Sequence, residues 1–269
     1  MDRRIDIFAL ADACIGAATI EEKLASSEHA AALTAHGEFA LDASESPRAI
    51  TQPGRPEMPR LVEPRQLPQR GLGSAEGRAA LVHAVAHIEF NAIDLAWDAV
   101  YRFRGMPVAY YRDWISVAAD ETRHFRMLQA RLAELGHVYG DFDAHNGLWE
   151  MAVKTADSCL ERMALVPRVL EARGLDVTPH MIARLRQVGD DATADILEII
   201  LREEVAHVAA GSRWFAWCCA RDGRDAETTF AQLIAAHAGA LKPPFNESAR
   251  RAAGFSTAEL ERLTARPAA

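Results

Sequence analysis

Apolar residues recur at helical spacing along most of this chain, and glycine and proline mark where the pattern stops. Ser74 to Glu76 offers helix-capping chemistry and is followed by Leu81, Val82, Val85, Ile88, Ile93, Leu95 and Val100, which predicts a long helix ending at Arg104-Gly105-Met106-Pro107. A second helix is expected from near Tyr110 through Trp114, Val117, Phe125, Leu128, Leu132 and Leu135, up to Gly136. A third is expected from about Leu148 to Arg173, stopped by Gly174. A short helix then opens at Thr178-Pro179 and reaches about Val188. Gly189-Asp190-Asp191 begins the fourth long helix, which runs to about Arg221.

The flanks differ from this central part. Residues 1 to about 36 read as one or two short amphipathic helices. Between Ser44 and Gly73 the prolines forbid regular helix, and the scattered Leu61, Val62 and Leu67 suit an extended arm that buries them on the surface of a bundle. From Arg224 onward the pattern returns to helix, interrupted at Lys242-Pro243-Pro244-Phe245. The organisation expected is thus N-terminal helices and arm over 1–73, a helical bundle over 74–223, and a helical extension over 224–269.

Composition narrows the function classes. The chain has 269 residues, 49% hydrophobic and 25% charged, as in ordinary globular proteins. A net charge of −8 argues against a protein whose main task is gripping a phosphate backbone. No uninterrupted apolar stretch approaches the roughly 18 residues of a membrane span. Asp6 and Asp12 interrupt the apolar N-terminal run, so it reads as a helix and not an export signal, and a cytoplasmic location is expected. Cys14, Cys159, Cys218 and Cys219 lack zinc-type spacing and suit buried, reduced thiols.

Two segments repeat one pattern: Glu121-x-x-His124 and Glu204-x-x-His207. On a helix, positions i and i+3 share a face, so a carboxylate and an imidazole can converge on one metal. Glu89 precedes Glu121 by 32 residues and Glu171 precedes Glu204 by 33, with a break near each midpoint. Each excursion is therefore about 16 residues, or about 24 Å of helix, and returns the Glu-x-x-His pair to the level of its lone glutamate. One glutamate from each of two helices plus Glu-x-x-His from the other two is the ligand set of di-iron and di-manganese carboxylate bundles. The carboxylates bridge and neutralise two cations, while imidazole adds donor strength without charge.

Other residues are weaker candidates. Glu161 is the alternative third-helix ligand. Pro167, four residues before Glu171, predicts a kink or widened turn. His83 and His87 suit roles beside the ligands or on the bundle surface. Asp94 is a candidate to orient His124 or His207. Asp120 and Glu203 adjoin the ligand pairs, Trp214 reads as a core aromatic before an electron relay, and Arg123 and Arg168 are candidates for carboxylate or substrate contacts.

The segments GRAALVHAVAHIEFNAIDLAWDA, YRDWISVAADETRHFRMLQARL, LVPRVLEARGLDVTP, ILREEVAHVAAGSRWF and LKPPFNESARRAAGF resemble the bacterial ferritin-like family catalogued as domain of unknown function 455. A more distant similarity is to tRNA hydroxylases acting on modified adenosines and to oxygen-activating di-iron enzymes. The resemblance implies an all-α, ferritin-like four-helix bundle with metal ligands at Glu89, Glu121, His124, Glu171, Glu204 and His207. It implies no substrate.

The leading expectation is an oxidoreductase or hydroxylase with two metal ions, iron first and manganese or a mixed pair next. It would use dioxygen, an unknown organic substrate and an electron-donor protein, with a homodimer as a candidate assembly. A modified tRNA base is a weaker substrate expectation, because only a local surface with Arg60, Arg65 and Arg70 offsets the acidic charge. The other classes are a metal-binding or storage-like protein, and a structural bundle whose site is empty or holds zinc.

Overall fold

Alanine- and leucine-rich stretches punctuated by glycine fold as helix, and the caps seen in the sequence are used as such. The computed structural model describes residues 5–36, 39–41, 46–239 and 241–264. Met1 to Arg4 and the first residues of the expected arm, Ser44 and Glu45, lie outside the described residues. The chain is an all-α helical-bundle protein, and the described strands are two residues long. It divides into two compact units, Met1–Val153 and Lys154–Ala269, with the line inside the 74–223 segment that the pattern groups together.

In the first unit, α1 (Ile7–Gly16) is capped by Asp6, whose Oδ1 accepts from the N–H groups of Phe8 and Ala9. The second helix, α2 (Ile20–His36), starts with a reciprocal box between Thr19 and Glu22. Ser74 caps α3 (Ala75–Arg102), its Oγ accepting from the Gly77 N–H at 3.0 Å. A five-residue turn with Gly105 at φ 73° reverses the chain into α4 (Val108–Glu134), so α3 and α4 form an antiparallel hairpin. Gly136, at φ 78°, turns the chain out of α4. Both α1 and α2 pack on this hairpin.

Helix α3 is long and apolar enough, by length and composition, to cross a membrane, and 78% of its apolar window is buried inside the protein. The bundle core accounts for that apolarity.

The arm wraps the first unit, but not through the side chains expected. Leu61, Val62 and Leu67 are only half-buried, while Ile50, Pro53, Pro59 and Leu72 are buried. The reason is backbone pairing: the Val62 N–H donates to the Ala144 carbonyl and the Ala144 N–H to the Arg60 carbonyl. This bridge holds Leu61 and Val62 at an edge.

The expected third helix is corrected in the structure. After α5 (Gly147–Lys154) the chain turns, and Ser158 caps a new start at α6 (Cys159–Leu165). A π-helical turn, Val166–Glu171, follows and leads directly into α7 (Ala172–Gln187). Helix therefore does not stop at Gly174, nor restart at Thr178-Pro179. Gly174 lacks the positive φ of a capping glycine. Pro179 forfeits one helical hydrogen bond, and burial of Leu175 and Leu185 on the same helix carries it through. The widened turn expected at Pro167 is present.

Gly189, at φ 74°, ends this run, and Asp190 Oδ1 accepts from the Thr193 N–H to start α8 (Asp191–Arg221). Then come α9 (Ala226–Leu233) with a π turn at Ile234–Ala238, α10 (Glu247–Ala252) and α11 (Thr257–Thr264). All four cysteines are free and buried.

Candidate metal centre

The hairpin geometry of α3 and α4 brings Glu89 level with Glu121 and His124. Their ligating atoms lie within 4.8 Å of one another. His124 Nδ1 is 3.1 Å from Glu89 Oε2 and 3.3 Å from Glu121 Oε2. All three residues are buried, His124 completely. Phe90, Val117, Phe125 and Leu128 are buried on the same hairpin.

Electrostatics make this cluster unusual. Burial, and then the Glu121 charge, push the Glu89 carboxyl well above the ordinary carboxylate range. Burial pulls His124 toward its neutral form, but the hydrogen bonds and charges of Glu121 and Glu89 overcome it and raise its pKa to about 11. Two carboxylates thus compete for one shared cation among apolar side chains. A divalent cation answers that demand directly, and hard oxygen donors with one imidazole suit iron, manganese or zinc.

On α8 the second pair is also formed: His207 Nδ1 is 3.2 Å from Glu204 Oε2. His207 is buried and the Glu204 side chain is 12% exposed. Glu171 closes the π turn and is half-buried with its Oε2 shielded from solvent. It belongs to no group of three ligating side chains within 4.8 Å of one another among the described residues. Glu161 lies in the first turn of α6, where its N–H is tied to Ser158 Oγ.

Several weaker candidates have other work. Asp94 does not orient a metal-site histidine; it pairs with fully buried Lys23, whose ammonium also donates to the carbonyls of Cys14 and Ile15. The lysine was invisible as its partner, being 71 residues away. His83 and His87 are buried, not on the surface. His83 Nε2 accepts from the Gly140 N–H at 2.9 Å, and His87 bonds Tyr139 Oη at 2.8 Å and the His145 carbonyl at 3.0 Å. They pin the loop after α4. Burial lowers both pKa values to about 4, keeping both rings neutral.

Asp120 is held by Arg123, and Glu203 lies 3.8 Å from Arg202. Trp214 is buried with its ring 6.0 Å from that of Trp217. Arg168 is buried against Glu259. On the arm, Arg60 pairs with Asp143, Arg70 lies 3.4 Å from Glu76, and Arg65 is exposed.

Fold and site together define a class: an all-α helical-bundle protein with buried glutamate–histidine clusters able to hold a metal ion. More specifically, the chain belongs to the family described as "Protein of unknown function (DUF455)", whose model matches residues 16–261. A Haemophilus influenzae relative described as "Uncharacterized protein" is 46% identical over 214 residues, covering 77% of this chain and 74% of its own length. No solved structure matches.

Proposed function

We propose that Glu89, Glu121 and His124 of the first unit, with Glu171, Glu204 and His207 of the second, hold two divalent metals, iron foremost. On this reading the protein is an oxygen-dependent oxidoreductase acting on an organic substrate. The supporting observation is the buried triad, in which His124 is caught between two carboxylates that need more positive charge than it supplies.

When bound, the metals supply redox equivalents and Lewis acidity. The chain's own residues do the rest. Glu89 and Glu121 would hold the cations and neutralise their charge. His124 and His207 contribute nitrogen donors held by glutamates one turn away. Phe90, Phe125 and Leu128 keep water from the buried side. The reaction class calls for an electron-donor protein. A modified tRNA base is a weaker substrate than a small organic molecule, because Arg60 and Arg70 are already engaged by Asp143 and Glu76.

The test is anaerobic iron reconstitution followed by oxygen exposure. About two irons per chain and an oxygen-dependent absorbance change are expected, both lost in Glu121→Ala and Glu204→Ala. Iron taken up and retained as a ferric deposit, beyond two per chain, would favour a storage protein. Zinc held in preference to iron, with no response to oxygen, would favour a structural site.

A further inference from the structure

Two buried ion pairs bracket Glu171, and each ties the backbone near it to the C-terminal segment. Arg168, inside the π turn, lies three residues before Glu171. Its Nη2 donates to both carboxylate oxygens of Glu259 on α11, at 2.8 Å each. Its guanidinium sits 4.0 Å from the ring centre of Phe230, 4.5 Å from Phe255 and 4.9 Å from Phe215. Five residues after Glu171, Asp176 on α7 accepts two hydrogen bonds from Arg250 on α10, at 2.9 and 2.7 Å. Both ion pairs are almost wholly shielded from water. The Phe255 ring is shared, lying 4.9 Å from the Arg250 guanidinium as well.

A buried arginine is expensive to desolvate, so a turn that keeps one does so where its position matters. Glu259 is itself fixed. Its Oε2 accepts from the Ser256 N–H, and its own N–H donates to Ser256 Oγ. This capping box at the start of α11 aims the carboxylate at Arg168. The π turn is also seated on α8, where Pro167 occupies the space a side chain would need at Gly211, four residues beyond His207. The backbone carrying Glu171 is thus located from three directions, two of them through the last helices of the chain.

We propose that α10 and α11 form a clamp that positions Glu171 for metal binding, with Glu259–Arg168 and Arg250–Asp176 as its two jaws. This rests on the metal reading of Glu171, and gives the C-terminal extension a task in that site. These four are positioning residues; none touches the metal.

The test titrates the full-length protein anaerobically with Fe(II) and, in parallel, follows amide hydrogen exchange over residues 166–171 without metal. Glu259→Gln removes the charge that holds Arg168 at nearly constant size. It is expected to weaken metal binding about 10- to 100-fold, as loss of a ligand-orienting partner does, and to speed exchange in the π turn. Arg168→Lys, which keeps the cation, should lose less than Arg168→Met. Leu260→Ala, on the same helix and equally buried, should lower thermal stability yet leave Fe(II) affinity within about twofold, since it spares both ion pairs. If Glu259→Gln does not fold, Asp176→Asn carries the same expectation. Unchanged affinity and exchange in Glu259→Gln, with the wild type still binding two metals, would overturn the clamp and leave the metal centre standing. A wild type that binds no metal would overturn both.

Discussion

Gly211→Ala is the smallest change that probes how the π turn is seated. Gly211 lies on α8, and a Cβ built there falls 2.3 Å from Pro167 Cγ and 2.4 Å from Pro167 Cβ. Ordinary contact begins at 3.4 Å, so the two groups must separate by about 1.1 Å (3.4 − 2.3). A proline ring has no rotamer with which to yield, so the backbone of the π turn or of α8 must move. Overpacking of this kind costs about 1–3 kcal/mol, while alanine's better helix propensity returns up to about 1 kcal/mol. The expected net loss is about 1–2 kcal/mol, or a melting temperature lowered by several degrees in a chain of this length. Gly174→Ala is the matched control. It is also helical, has nothing within 4 Å of the added methyl and has no positive φ, so it should stabilise by up to about 1 kcal/mol. Urea denaturation followed by circular dichroism measures both. If Gly211→Ala proves as stable as Gly174→Ala, the π turn does not rest on α8 as described.

Further outcomes follow from the buried polar groups of the first unit. Lys23→Met strands Asp94 inside the protein and should destabilise by about 3–5 kcal/mol, with Lys23→Met/Asp94→Leu recovering most of it; a single-variant loss under about 1 kcal/mol would refute the role of that pair. His87, neutral when folded because its pKa falls to about 4, binds fewer protons than the unfolded chain between there and its ordinary 6.5. Its stabilisation is therefore complete above about pH 6.5 and is lost as pH falls toward 4. The stability gap between wild type and His87→Gln should shrink by about 3 kcal/mol across that window, and a constant gap would contradict the assignment.

Local chemistry was readable from the chain where it is local. Ser74 and Asp190 announce their helices as caps, and the two Glu-x-x-His pairs need only a helix to form. The α6–α7 region misled because Gly174 and Pro179 usually break helices, whereas here burial of Leu175 and Leu185 outweighs local preference. Partners far apart left no trace in the pattern. Nothing near Asp94 points to Lys23, and nothing near Arg168 points to Glu259, 91 residues later. The Ser256-x-x-Glu259 box is a legible capping signature, but its second use, as the anchor of a buried arginine, depends on packing that only the fold supplies.

The central claim is that the two glutamate–histidine sets hold metal. Anomalous diffraction from crystals soaked in Mn(II) or Fe(II) tests it most directly. The account predicts two metal peaks, one against Glu89, Glu121 and His124 and the other against Glu171, Glu204 and His207. A peak at only one set, or none, would contradict it.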